Sequence, residues 1–209
     1  MVSIIIPAYN EEKYLARCLD SVISQSDDVI VVVNGSTDAT EQISLSYPVR
    51  TLVIHEANVS KARNQGAALA KHDTLLFLDA DTKLHDNFVS SITTKLGTAK
   101  SVPIQKTLFF KAWLYTKYLL HKHHVYHGQS GCLIVDKNTF NRVGGYNEAL
   151  KVREDKTLIE QCKQYVPYNV HNGVLELDMR RYNGKLLSGA WLWIKIMCTR
   201  ARNKYPPVR

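Results

Sequence analysis

The sequence predicts an α/β fold, a single domain with a mostly parallel sheet flanked by helices, and three observations predict it. Short β-branched runs alternate with helical patterns through the first half of the chain, as in βαβ units with right-handed crossovers. The run Leu75, Leu76, Phe77 and Leu78 has no period of two, so both faces are apolar, as in a central strand covered on both sides. Finally, 209 residues, 45% hydrophobic and 22% charged, fit one domain that buries about 70% of its unfolded surface.

Taken in order, Val2 to Ile6 reads as a strand stopped by Pro7. Glu11 to Ser24 reads as a helix, with Tyr14, Leu15, Cys18, Leu19, Val22 and Ile23 on one face. Val29 to Val33 is the second strand, and Ser36, Thr37 and Asp38 compete to cap a helix reaching about Tyr47. Thr51 to Ile54 is the third strand, Ser60 opens a third helix, and Thr74 to Leu78 is the fourth strand. Beyond it, Phe109 to Leu120 places Phe109, Phe110, Trp113, Leu114, Tyr118 and Leu119 mostly on one side of a helix, among Lys111, Lys117 and Lys122. Such a helix either covers the sheet or touches lipid. His121, His123, His124 and His127 read as a solvated basic segment, because no His-Glu-x-x-His spacing accompanies them. Gln129 to Val135 reads as a strand, Lys156 to Tyr165 as a helix broken by Pro167, and His171 with Asn172-Gly173 as a turn.

Composition bounds the setting. Cys18, Cys132, Cys162 and Cys198 show no Cys-x-x-Cys spacing and sit in apolar or helical contexts, so buried thiols in a reducing compartment are expected. Strand-like residues follow Met1 at once and no apolar run reaches about 18 residues, so the expected location is cytoplasmic, with peripheral attachment to a membrane face left open. A net charge of +8 and a pI near 9.3 favour anionic partners: phosphates, anionic lipid or nucleic acid. Nucleic-acid binding accounts for the charge and for none of the loops. Oligomeric state is not set by any of these features.

The loops gathered at the carboxyl ends of the strands are where open α/β sheets bind ligands. Pro7-Ala8-Tyr9-Asn10-Glu11-Glu12 leaves the first strand, and Asn34-Gly35-Ser36-Thr37-Asp38 leaves the second and opens a helix, whose free N–H groups favour anions. There is no G-x-G-x-x-G and no G-x-x-x-x-G-K-[ST], which argues against a dinucleotide fold of the usual kind and a nucleoside triphosphatase. Tyr9 is either an exposed turn aromatic or a ligand contact, and Asp38 either a cap or a ligand contact. Asp79 and Asp81 emerge together from the fourth strand. They form either a solvated, capping pair or an oxygen-only site suited to Mg²⁺ or Mn²⁺ shared with substrate phosphates.

The chain resembles the family 2 glycosyltransferases, inverting enzymes of the GT-A fold, a Rossmann-type sheet flanked by helices. The resemblance rests on Ile4-Ile5-Ile6-Pro7-Ala8-Tyr9-Asn10-Glu11-Glu12, Val32-Val33-Asn34-Gly35-Ser36-Thr37-Asp38-Ala39-Thr40, Lys61-Ala62-Arg63-Asn64-Gln65-Gly66, Leu76-Phe77-Leu78-Asp79-Ala80-Asp81, Gly144-Gly145-Tyr146 and Glu154-Asp155. It implies a GT-A-like domain over residues 1–187, with a nucleotide-sugar half to about residue 100 and an acceptor half from about 101. The donor would lie against Pro7, Tyr9, Glu11, Asn34, Asp38, Arg63, Asp79 and Asp81, with Asp81 and Asp79 holding Mn²⁺ or Mg²⁺. One departure is Asn34, where members commonly carry aspartate, and the base of the donor stays open.

The same resemblance makes Asp155 the general base that takes the acceptor's proton, with Glu154 and the Gly144-Gly145 loop on the acceptor side; capping of the following helix is the alternative for both acids. Arg180 and Arg181 are either a diphosphate clamp or a surface pair. Residues 188–209 join Trp191, Trp193, Ile194 and Ile196 with Lys195, Arg200, Arg202, Lys204 and Arg209, a basic amphipathic tail suited to an anionic membrane surface or to packing. The implied function is metal-dependent, inverting transfer of a sugar from a nucleotide diphosphate to a glycan or lipid-linked acceptor. A non-catalytic nucleotide-sugar-binding scaffold or regulatory subunit is the alternative. A nucleotidyltransferase would be expected to carry a glycine- and arginine-rich loop after strand one, which is lacking here.

Overall fold

The apolar runs assemble in the computed structural model, which describes residues 1–105 and 107–180, into one eight-stranded sheet with helices on both faces. The elements are β1 (Val2–Ala8), α1 (Leu15–Val22), β2 (Asp28–Asn34), α2 (Thr40–Leu45), β3 (Arg50–Ile54), α3 (Val59–Leu69), β4 (Thr74–Leu78) and β5 (Thr82–Leu84). They continue as β6 (Leu96–Pro103), α4 (Leu108–Lys122), β7 (Cys132–Asp136), α5 (Lys137–Arg142), α6 (Glu154–Cys162) and β8 (Asn169–Leu177). The order across the sheet is β3-β2-β1-β4-β7-β6-β8-β5. β1 pairs in parallel with β2 and β4, β2 with β3, and β6 with β8. β7 runs antiparallel to β4 and β6, and β5 antiparallel to β8. Six strands therefore share a direction, and only β5 and β7 oppose it.

Strand alternation divides the core into two layers. Ile4, Ile6, Val31, Val33, Leu76 and Leu78 face α1, packing on Leu15, Cys18, Leu19 and Val22. Ile5, Ile30, Val32, Leu75 and Phe77 face the other way, onto Ala62 and Ala67 of α3 and Leu158, Ile159 and Cys162 of α6. With both faces covered, the period of two disappears from the sequence of β4. Gly66 lets α3 sit close to the sheet, since a Cβ there would lie 2.4 Å from Ile5 Cγ2. Cys18, Cys132 and Cys162 are buried free thiols.

Several readings change. β1 runs on through Pro7 to Ala8, because pairing with β4 ends at Ile5–Phe77 and that edge is open to a residue without an N–H. His171 and Asn172-Gly173 lie within β8 instead of a turn: the partner of Ala99 is His171 and that of Lys100 is Val174, so the two intervening residues are absorbed as a bulge. β7 begins at Cys132, α6 starts two residues before Lys156, and β5, β6 and α5 had no clear local signal. His121 is buried, its Nδ1 2.8 Å from the Tyr168 hydroxyl, so the histidine segment is partly core. Arg181, Cys198 and the tail of residues 188–209, with Trp191 and Trp193, lie outside the described residues. No helix of the described residues is long and apolar enough to cross a membrane.

Candidate functional site

The carboxyl ends of β1, β2 and β4 share one edge, and the loops leaving them are tied together. Asn10, with a left-handed φ of 52°, accepts at Oδ1 from the Thr37 N–H at 2.8 Å, and its own N–H donates to Ser36 Oγ at 3.0 Å. The Glu11 N–H donates to Thr40 Oγ1 at 2.7 Å, and the Glu12 N–H to Asp38 Oδ2 at 3.2 Å. Asp38 also accepts from the Thr40 N–H at 3.0 Å. This carboxylate thus braces the two loops. Pro7 is buried in β1 and Tyr9 half-buried just past it. Asn34 closes β2 with 4% exposure, and its Oδ1 is buried with no partner among the described residues. Gly35, at φ +70°, makes the turn there, where a Cβ would stand 3.0 Å from the Ala57 nitrogen.

Arg63 is the centre of the site. It projects from α3, is 4% exposed, and its two terminal nitrogens reach four acceptors. Nη1 donates to Glu154 Oε1 at 3.3 Å and Asp155 Oδ1 at 3.1 Å, and Nη2 to Asp79 Oδ1 and Gln129 Oε1, each at 3.2 Å. The Gln129 amide donates in turn to Asp79 Oδ1 at 2.7 Å. The guanidinium also lies 5.0 Å from the centre of the Tyr146 ring, whose hydroxyl donates to Asp155 Oδ1 at 3.0 Å. Tyr146 is itself fixed by Asn64, which accepts from the Tyr146 N–H at 2.9 Å and donates to its carbonyl at 2.9 Å. Gly145, at φ +73°, permits this approach, since a Cβ would stand 2.7 Å from Asn64 Oδ1. Gly144, at φ +81°, precedes it with open space around its Cα.

Glu154 and Asp155 form the first turn of α6, entered through Arg153 at φ 63°. Burial pushes the Asp155 carboxyl up to about 7, with Glu154 and Asp79 adding to the rise and Arg63 and the Tyr146 hydrogen bond opposing it. Burial likewise raises the Tyr146 phenol well above its usual value. A carboxyl held near neutrality beside a cation and an open edge is the profile of a group that exchanges a proton.

A second arginine meets the site from the end of the described chain. Arg180 Nη2 donates to both oxygens of Glu11 at 2.7 Å, lies 3.7 Å from Asp81 Oδ2, and its guanidinium sits 3.7 Å from the centre of the Tyr14 ring. Arg17 Nη2 donates to the Asp81 carbonyl at 3.1 Å. Among the described residues no group of three or more His, Cys, Asp or Glu is placed to hold a metal ion. The donor set at β4 is oxygen only, and Asp79 Oδ1 is already shared by Arg63 and Gln129. A divalent cation fits such a set as Mg²⁺ usually sits, held by one or two carboxylates and by a ligand's phosphates.

The structure therefore gathers Glu11, Arg63, Asp79, Asp81, Glu154, Asp155 and Arg180 at one site, as two ion-pair clusters: Arg63 with Asp79, Glu154 and Asp155, and Arg180 with Glu11 and Asp81. Gln129 and Tyr14 joined it without a sequence signal, and Tyr146 was only a motif letter. β7 is antiparallel to β4, so the residues just before β7 arrive at the carboxyl end of β4. Gln129 becomes visible as a site residue once that direction is known.

A sequence profile for the family described as Glycosyl transferase family 2 matches residues 3–151. Glycosyltransferase GlyA of Streptococcus pneumoniae serotype 4 is 34% identical over 103 residues, which are 46% of this chain and 15% of that protein. An uncharacterized glycosyltransferase of Rickettsia typhi is 29% identical over 183 residues, 76% of this chain and 57% of that protein. The chain thus spans well under two thirds of the length of these curated relatives. Among solved structures, S. aureus TarS 1–349 in complex with UDP-GlcNAc is similar at TM-score 0.66 and 21% identity, over 86% of this chain and 58% of that one. M. tuberculosis glucosyl-3-phosphoglycerate synthase is similar at TM-score 0.63 and 19% identity, over 96% of this chain and 80% of that one.

Proposed function

We propose, from the premise that this chain belongs to glycosyl transferase family 2 and has the GT-A-like fold, that it moves a sugar from a nucleotide diphosphate donor to an acceptor hydroxyl with inversion. The observation that carries the reading is the Arg63 hub. One buried guanidinium links Asp79, at the strand end that the resemblance assigns to the donor, with Asp155, the carboxyl assigned to the acceptor. Donor and acceptor groups are thereby held in one frame, and positioning of this kind supplies much of the rate of a bimolecular transfer.

On the donor side, the unpartnered Oδ1 of Asn34 is suited to a base N–H such as that of uracil. UDP and UDP-GlcNAc are the ligands named for the TarS structures, and a uridine donor is the first to try. Arg180, half-exposed and resting on Tyr14, is suited to exchange a Glu11 oxygen for a phosphate oxygen. Mn²⁺ or Mg²⁺ would be held by Asp81, with Asp79 beside it, and would offset charge on the departing diphosphate as a Lewis acid.

On the acceptor side, both hydrogen bonds that Asp155 accepts among the described residues fall on Oδ1, and Oδ2 is the oxygen to take the proton of the acceptor hydroxyl. As Asp155 takes that proton, the acceptor's hydroxyl oxygen forms its bond to the anomeric carbon and the bond to the diphosphate oxygen breaks on the opposite face. A base poised near 7 is matched to this proton transfer at neutral pH. The acceptor is a glycan or a lipid-linked hydroxyl reached over the Gly144-Gly145 loop, and the proposed setting is cytoplasmic and peripheral to a membrane.

Thermal stabilisation by nucleotide sugars with and without Mn²⁺ tests the reading, followed by donor hydrolysis without acceptor. A donor at 100 times its dissociation constant adds about 2.7 kcal/mol. Asp81→Asn should lose the metal-dependent part of that gain. No stabilisation by any nucleotide sugar would overturn donor binding, and stabilisation with no transfer or hydrolysis would favour the scaffold.

A further inference from the structure

From Asn87 to Val135 the sequence contains no Asp or Glu, while Lys95, Lys100, Lys106, Lys111, Lys117 and Lys122 fall within it. Helix α4 lies in the middle of this stretch. Its inner side, Phe110 and Leu114, packs on Met179, with Trp113 and Leu177 against the cluster. Its outer side is a different surface. Leu108 is 83% exposed, Tyr115 and, just past the helix, Val125 are more than half exposed, and Lys111 and Lys122 are exposed. Leu108, Lys111, Tyr115 and Lys122 recur at three, four and seven residues, one face of a helix. Phe109 extends the apolar surface, and Tyr118 stands beside it with Lys100 Nζ 5.7 Å from its ring centre.

Water alone does not favour a leucine, two aromatics and a valine standing out on one acid-free segment. Lysines interleaved with apolar and aromatic side chains are the composition of helices that lie in a membrane interface. A nucleic acid would engage the lysines through phosphate but offers little to Leu108 or Val125. A second copy packed on this face would bring like charges together. Lipid with anionic headgroups satisfies both components. We propose that the outer face of α4, centred on Leu108, Lys111, Tyr115 and Lys122, docks on an anionic lipid surface. Lys117 of the same helix donates to the Gln129 carbonyl at 2.9 Å, and the Gln129 side chain touches Arg63 and Asp79. Docking by α4 therefore sets the site beside the lipid headgroups, where a lipid-linked acceptor would be delivered. That last consequence rests on the proposed sugar transfer; the docking itself does not.

The test is co-sedimentation of the full chain with phosphatidylcholine vesicles and with phosphatidylcholine–phosphatidylglycerol vesicles, at low and high salt. The parent should bind only the anionic vesicles, and less in high salt. At about 1 kcal/mol for each cation near the surface, Lys111→Gln with Lys122→Gln should weaken partitioning about thirtyfold at low salt. Leu108→Ser with Tyr115→Ser should weaken it at both salts, since burial of apolar area is not screened. These side chains are exposed, so melting temperatures should hardly move, and stabilisation by a nucleotide sugar should be the same in parent and variants. Absence of vesicle binding by the full chain would overturn the proposal. Binding unchanged in both double variants would also overturn it, as would a parent dimer that the Leu108 and Tyr115 changes dissociate. Loss of nucleotide-sugar stabilisation in every protein, with vesicle binding intact, would instead count against sugar transfer.

Discussion

Arg63 and Arg180 both face carboxylates at the carboxyl edge of the sheet, yet the Arg63 side chain is 4% exposed and that of Arg180 31%. Arg63 serves four acceptors from three parts of the chain and has an aromatic ring beside it. Arg180 serves Glu11 and Asp81 and rests on Tyr14 with solvent near. A desolvated cation whose partners converge on it cannot leave without stranding their charge. A half-exposed one can trade a carboxylate for a phosphate at small cost. Side by side, they separate the part of the site that is framework from the part free to answer a ligand.

The sharpest way to break this contrast is to remove each arginine. Arg63→Met should destabilise the fold by about 3–5 kcal/mol, because it leaves Asp79, Glu154 and Asp155 without their cation, and should abolish transfer. Urea unfolding measures the first and donor turnover the second. A loss under about 1 kcal/mol would make Arg63 no different from a surface ion pair.

Asp155→Asn comes next. Turnover should fall roughly 10²–10⁴-fold with donor affinity nearly unchanged, as for a lost proton acceptor. The same variant tests the sign of its electrostatics. The folded-state value near 7 lies above the usual aspartate value of about 3.9. Between those values the native state keeps a proton that the unfolded chain has released, so stability should fall as pH rises from about 4 to 7. Urea midpoints across that range should fall less steeply in Asp155→Asn than in the parent. An identical slope in both would assign the pH dependence to other groups.

Tyr146→Phe sharpens the comparison on the framework side. Deleting the hydroxyl removes a hydrogen bond that favours the Asp155 carboxylate, so the acidic limb of the turnover profile should move to higher pH while the fold persists. A limb that stays in place would leave Tyr146 with packing alone. The smallest effect on stability belongs to Arg180→Gln, within about 1 kcal/mol, with the loss appearing as weaker donor binding by titration. Equal donor affinity in variant and parent would remove Arg180 from the donor site.

How much of this was legible before the fold was known depends on how local each signal is. The strands and helices from Val2 to Leu78 were readable to within a few residues, because β-branched runs, caps and the doubly covered β4 are written in neighbouring residues. Parallel strands also place all their carboxyl ends on one edge, so the alternation by itself brought Glu11, Asn34, Asp79 and Asp81 together. The resemblance added Asp155, and Arg180 stood open between clamp and surface pair. β6 was missed because its defining contact is distant: a Cβ on Gly97 would meet the Asn169 carbonyl at 1.8 Å, so the glycine serves strand approach and looks like a breaker in sequence. The Asn172-Gly173 turn signal was sound locally, and β8 absorbed it as a bulge against β6.

What the sequence by itself determined is the sheet edge and the acids that stand on it, since the side-chain periods of strands and helices act over a few residues. Only the tertiary structure decided which charges meet. The acceptors of Arg63 lie 16, 66, 91 and 92 residues away, His121 is buried against Tyr168 47 residues on, and Gln129 reaches Asp79 because β7 turns back along β4. Such contacts carry no local propensity. They form when the whole sheet closes and buried polar groups must find partners among whatever the topology has brought to the same place.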